Sequence, residues 1–207
     1  MTADIKTVTT KIRQKGTGKE FVGSYTELNG SGGETSRREF DENGSLILQS
    51  VTCYNEQNRK CVQNAFDAGG LLLYKTKYFY KQNGKIGNEE TTFAGGEVLL
   101  KTYFYKDNTL MVRTINDEDE EKERLVYVYD EKNGRVLTES EFGRGFQGKE
   151  FRRTEFVYDE VSERLTQKII TDLRTGTASV TRFSYDALGR IVSEEDENIV
   201  RTYEYNF

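Results

Sequence analysis

Apolar and polar residues alternate along most of this chain, and Gly, Asn and Asp clusters interrupt the alternation at short intervals. Side chains on a strand point to opposite faces with period two. Alternation between turn signals therefore predicts half-buried strands. Arg38–Asp41 leads through Asn43–Gly44 into Leu46–Tyr54, and Lys60–Phe66 leads through Ala68–Gly70 into Leu71–Tyr80. Lys85–Phe93, Val98–Tyr105, Thr109–Ile115 and Arg124–Asp130 continue the series. Arg135–Phe142, Glu150–Asp159, Arg164–Asp172, Thr177–Asp186, Arg190–Glu195 and Val200–Asn206 complete it. The pattern predicts an all-β protein, an antiparallel β-meander of repeated hairpins with about 14 strands and no helix longer than a turn. Asn43–Gly44, Asn83–Gly84 and Asn133–Gly134 predict tight type I′ turns, in which both central residues take positive φ.

A longer period overlies the short one. Tyrosines at 80, 105, 129, 158, 185 and 205 each close a strand, and a spacing of roughly 20–30 residues is the mark of a repeat architecture. The segments 66–81 and 93–106 echo one another and carry the repeat through the middle of the chain. Tyr105, Tyr129, Tyr158, Tyr185 and Tyr205 should share one face of their strands. The residues before the tyrosines, Phe79, Phe104, Val128, Val157, Ser184 and Glu204, should point to the other. Both faces are apolar in the middle of the chain, so the sheet is expected to curl, close or pack on itself there. Residues 1–36 read as a basic N-terminal arm with one or two strands and the glycine-rich loop 29–35. Residues 37–207 read as the hairpin-repeat domain.

Composition narrows the chemistry. The chain has no His, Pro or Trp. Without histidine it lacks the commonest general base and transition-metal ligand. With 13 Tyr and 12 Phe, an aromatic core is expected. The mixed charge, net −5, argues against nucleic acid as a partner, and no apolar run is long enough for a membrane-spanning helix. The acidic run 117–121 has no glycine to fold its carboxylates around a calcium ion and reads as a solvated loop tip. The loop 143–148, GRGFQG, joins two strands and opens no helix, so it is not a phosphate loop. No cofactor or metal is expected. Cys53 and Cys61 should face each other across a hairpin centred on Gln57, either bridged or as two free thiols. A bridge would favour an oxidising compartment.

The most regular units are Phe183–Phe207, Val128–Glu139 and Val157–Gln167. They resemble the YD-repeat family, also called Rhs repeats, whose unit runs tyrosine–aspartate, turn, glycine–arginine, aliphatic strand. Tyr185, Asp186, Gly189, Arg190 and Tyr205 match closely, and Tyr129, Asp130, Gly134 and Arg135 match well. At Tyr158–Asp159 the glycine is replaced by Glu163, and upstream of residue 110 the aspartate becomes Lys81 or Lys106. The resemblance implies a bacterial surface or secreted β scaffold, with a cytoplasmic chain as the alternative. It implies a non-enzymatic binding module that engages a protein partner. The rival readings are a carbohydrate-binding module that stacks sugars on Tyr105, Tyr129, Tyr158, Tyr185 and Tyr205, and a closed barrel around a small apolar ligand. The residues themselves assign a blander role to the motif. Each Asp can accept backbone N–H groups of its turn, and the following Arg can pair with it.

Overall fold

A computed structural model describes residues 5–143 and 148–207, so residues 144–147 of the glycine-rich loop and the first four residues of the N-terminal arm lie outside the described residues. The strands are β1 (Thr7–Gln14), β2 (Glu20–Leu28), β3 (Glu34–Phe40), β4 (Leu46–Tyr54), β5 (Lys60–Phe66), β6 (Leu72–Tyr80), β7 (Ile86–Phe93) and β8 (Val98–Lys106). They continue as β9 (Thr109–Asn116), β10 (Glu121–Tyr129), β11 (Val136–Gly143), β12 (Glu150–Tyr158), β13 (Leu165–Asp172), β14 (Thr177–Tyr185), β15 (Ile191–Glu195) and β16 (Ile199–Asn206). Among the described residues there is no helix. Consecutive strands are hydrogen-bonded neighbours, and the order returns to its start because β1 pairs with both β2 and β16, giving a closed antiparallel barrel. The meander and its closure match the sequence pattern. Residues 7–14 and 20–28 of the N-terminal arm form the full strands β1 and β2.

The chain divides into two compact units. The first comprises residues 1–77, 92–96 and 184–207 and holds β1–β5, most of β6, and β15 and β16. In it Thr7–Gln14 pairs antiparallel with Ile199–Asn206 over the whole length of β1. The second comprises residues 78–91 and 97–183 and holds β8–β13 in unbroken succession. There Leu99–Lys106 pairs with Thr109–Asn116 through the two-residue connection Asp107–Asn108.

The Asn-Gly pairs do make hairpins, but not through type I′ turns. In the loop after β3 the Gly44 N–H donates to the Asp41 carbonyl (3.1 Å) and the Asp41 N–H to the Ser45 carbonyl (2.9 Å). Gly44, Gly84 and Gly134 have φ of 80°, 81° and 70°, while no asparagine before them has positive φ. The Asp41 loop is a type I turn followed by one left-handed residue, whereas the loop at Asn133–Gly134 is one residue longer, its Gly134 N–H donating to the Asp130 carbonyl. At Asp41 the physical reason is the leading side chain. One Asp41 carboxylate oxygen accepts the Asn43 and Ser45 N–H groups, both at 2.8 Å, and holds the first turn in its ordinary right-handed conformation. Only the glycine position must then be left-handed.

A β-bulge follows most of these turns. The register passes from Phe40↔Leu46 to Glu39↔Leu48, leaving Ile47 as the extra residue. Leu73, Leu137 and Thr166 occupy the same place after their turns. So does Cys61, which corrects the expected cysteine pairing. Tyr54 opposes Lys60 and Cys53 opposes Val62, so Cys61 has no opposite residue and both thiols are free.

The expected aromatic core is also corrected. The buried apolar residues are Ala65, Val112 and Val200, and most of the other buried residues are Ser or Thr, such as Ser24, Thr52, Thr76 and Thr154. No large side chain is fully enclosed among the described residues. In a single sheet layer long side chains lean over short ones. The small residues are therefore shielded while the aromatic rings stay half-buried. Phe79 and Phe104 are still 46% and 44% exposed, so the apolar residues that precede the tyrosines there stay open to solvent.

Candidate functional site

The motif residues are held in a repeating lattice. Asp186 accepts the Leu188 and Arg190 N–H groups, each at 2.9 Å, and its second oxygen lies 2.6 Å from the Arg190 guanidinium. These donors hold the Asp186 carboxyl below the usual range, with the Arg190 backbone N–H the largest cause. The Arg190 guanidinium then lies over the Tyr205 ring at 4.8 Å, and the Tyr205 hydroxyl donates to the Ile191 carbonyl at 2.7 Å. The next copy repeats this. Asp130 accepts the Lys132 N–H, Arg135 covers the Tyr158 ring at 4.7 Å, and the Tyr158 hydroxyl donates to the Val136 carbonyl at 2.9 Å. Asp159 accepts the Val161 and Ser162 N–H groups, and Glu163 takes the left-handed place usually held by glycine, with φ 58°.

The structural role assigned to the motif therefore holds in these copies: aspartate shapes the turn, arginine bridges, and tyrosine ties one hairpin to the next. Tyr158, Tyr185 and Tyr205 are half-buried. The rings and hydroxyls of Tyr158 and Tyr205 are engaged within the chain, which leaves neither as an open stacking platform. Sequence reading missed one member. Tyr54 also closes a strand, and its hydroxyl donates to the Glu34 carbonyl at 2.9 Å. The signal was Tyr54–Asn55 standing for tyrosine–aspartate. Asn55 accepts the Gln57 and Arg59 N–H groups as an aspartate would.

A second set of tyrosines, two residues before the motif positions, also went unread. Tyr103 donates to Glu89 at 2.5 Å. Tyr127 is hydrogen-bonded to Glu139, its direct opposite in the β10–β11 ladder, and Tyr203 to Glu194. Burial first, and then the glutamates, push all three phenols far above their ordinary pKa. The signal was the Tyr-x-Tyr spacing at 103–105, 127–129 and 203–205.

The lattice lapses at one place in the second unit. Arg135 and Arg190 each stand across the sheet from the tyrosine they cover. Across from Tyr129 stands Asn108: the Tyr129 N–H donates to the Asn108 carbonyl (2.8 Å), and the Asn108 amide donates to the Tyr129 carbonyl (3.2 Å). The β8–β9 connection is only two residues long and supplies no arginine, so among the described residues no cation covers the Tyr129 ring. An open cleft of about 490 Å³ lies there. Tyr105 and Tyr129 wall it, Leu110 contributes an apolar patch, and Asp107, Asp130 and Glu131 line it together with Lys85. The Lys85 ammonium lies over Tyr105 at 4.7 Å, with Lys81 at 5.0 Å. Asp130 is only loosely paired, 3.9 Å from the Arg135 guanidinium, against 2.6 Å for Asp186 and Arg190. Of the five tyrosines expected to form a binding face, the structure brings Tyr105 and Tyr129 together at this cleft. Among the described residues no cluster of His, Cys, Asp and Glu is placed to hold a metal ion.

No protein-family model and no curated protein matches the chain. Solved structures show distant likenesses. A porin-like protein from Bacteroides uniformis is 11% identical over 100% of this chain and 98% of its own, with a TM-score of 0.39. A porin-like protein from Bacteroides vulgatus is 12% identical over 98% of each chain, with a TM-score of 0.45. The crystal structure of TcdB2-TccC3-TEV is 10% identical over 90% of this chain but only 14% of its own, with a TM-score of 0.21. These likenesses are too distant to carry a function across.

Proposed function

We propose that this protein is a non-enzymatic β-repeat scaffold whose activity is binding, with the Tyr105–Tyr129 cleft as the site that engages a protein partner. One observation carries the reading. The repeat consumes its own tyrosines, aspartates and arginines at Tyr158 and Tyr205, and at the short β8–β9 connection it leaves the Tyr129 ring beside carboxylates in an open cleft. Residues that cap turns and bridge hairpins are not free to act as acids, bases or nucleophiles, which supports binding over turnover. The resemblance to YD repeats supports a bacterial surface or secreted setting.

A carbohydrate partner is the second reading, favoured by two tyrosine rings with carboxylates beside them, a common arrangement for sugar stacking and hydroxyl recognition. Peptide and glycan arrays probed with the intact chain separate the two. A peptide ligand that shifts backbone amide resonances around Asp107–Leu110 and Tyr129–Gly134 supports the first reading, and a glycan ligand at the same amides supports the second. Absence of binding on both arrays, or shifts confined to other strands, refutes the site. Turnover in a glycosidase or esterase screen that vanishes with a single Asp or Glu substitution would overturn the non-enzymatic reading.

A further inference from the structure

We infer that the cleft takes an arginine side chain of the partner, so that a guanidinium from outside completes the lattice position the chain leaves open at Tyr129. The inference rests on the binding reading above and names the chemistry of its ligand. Two filled copies of the same position show what fits. Arg135 over Tyr158 and Arg190 over Tyr205 lie at 4.7 and 4.8 Å, the distance of a planar cation stacked on an aromatic face. In the filled copies the guanidinium also meets a carboxylate, closely at Asp186 and loosely at Asp130.

The open copy keeps the ring but has Lys106 in the place of the turn aspartate, so its carboxylates come from neighbouring positions. The Tyr129 ring faces the cleft, and three carboxylates, Asp107, Asp130 and Glu131, stand against the one lining cation, Lys85. Asn108 occupies the arginine's place with a side chain too short to reach across the ring. It is spent on the Tyr129 carbonyl instead. A guanidinium suits this site better than an ammonium. It is planar, weakly hydrated and able to stack while donating sideways to carboxylates, whereas a lysine head is a compact, strongly hydrated point charge. A sugar would use the rings and leave the excess negative charge unanswered.

The test uses the intact, isotope-labelled chain and a five-residue blocked peptide with a central arginine, Gly-Gly-Arg-Gly-Gly. The same peptide is prepared with citrulline, which is isosteric but uncharged, and with lysine. Amide shifts at Asp107–Leu110 and Tyr129–Gly134 on arginine titration are expected, with citrulline weaker by about tenfold or more and lysine in between. Asn108→Arg supplies the missing guanidinium from within and is expected to abolish peptide binding while raising the thermal midpoint. Should Asn108→Arg fail to fold, Tyr129→Leu tests the same contact, and it is expected to weaken the arginine peptide selectively.

Equal binding of arginine and citrulline peptides at these amides would overturn the inference and leave the cleft a peptide site of other specificity. Glycan binding there with no peptide effect would overturn it in favour of a sugar. No binding of any ligand at the cleft would overturn the site itself.

Discussion

Tyr158 offers the sharpest measure of whether the motif tyrosines are struts or display groups. Three contributions can be read from its surroundings. The hydroxyl's bond to the Val136 carbonyl at 2.9 Å is worth about 1 kcal/mol net. The Arg135 guanidinium at 4.7 Å adds about 0.5–1 kcal/mol for a partly exposed cation–π contact. A fully enclosed aromatic buries about 150–250 Å². Half of that, for a half-buried ring, gives roughly 2–3 kcal/mol at about 25 cal/mol/Å². Tyr158→Phe should therefore cost about 1 kcal/mol and Tyr158→Ala roughly 3.5–5 kcal/mol, the sum of the contributions above. The assay is urea unfolding followed by circular dichroism, with Arg135→Leu completing a double-mutant cycle against Tyr158→Leu. The coupling should be about 0.5–1 kcal/mol. If Tyr158→Ala costs less than about 1 kcal/mol, the ring is a display group and the lattice reasoning fails. If Tyr158→Phe costs as much as Tyr158→Ala, the hydroxyl rather than the ring holds the hairpins together.

Other outcomes follow from the same structure. The raised phenol pKa values of Tyr103, Tyr127 and Tyr203 contribute stability that is complete below the unfolded value near ~10 and is lost as pH rises through the folded values. Absorbance at 295 nm should therefore show these three tyrosines ionising only together with alkaline unfolding, and early, fully reversible ionisation of the whole set would refute the Tyr–Glu pairing. The lowered carboxyls of Asp41, Asp159, Asp186 and Asp196 act in the opposite sense. Their contribution is present above the unfolded value near ~4 and lost as pH falls through the folded values, so an acid transition should begin below the usual carboxylate range. Cys53 is exposed and Cys61 half-buried, both free, so a thiol reagent should find two thiols without reductant and react faster at Cys53; mass spectrometry showing a bridge would contradict the register.

Strand positions were legible because alternation is a property of the backbone, and a sheet with even one shielded face enforces it at every second residue. The Asp186 and Arg190 pairing was legible for a similar reason, since both partners lie within one turn. Three features were not. The bulges shift register by one residue without any change in composition, so a hairpin counted symmetrically about Gln57 put Cys61 opposite Cys53. The exposure of Phe79 and Phe104 depends on what faces them, which alternation does not encode. The cleft is a missing residue, visible only once Arg135 and Arg190 show what the others have. The trace in the sequence was the bare Lys106–Thr109 connection, where the repeat has no room for its usual loop.

The bulge that follows most of the turns bears on how such a chain can change length. A strand read in steps of two cannot gain or lose a single residue without turning its whole shielded face outward. Ile47, Cys61, Leu73, Leu137 and Thr166 have no residue opposite them, so each is a place where the count can change by one while the frame beyond is kept. They act as spacers in a reading frame. Drift in repeat length should collect at these positions and in the loops. The strand interiors, by contrast, can change only by pairs of residues.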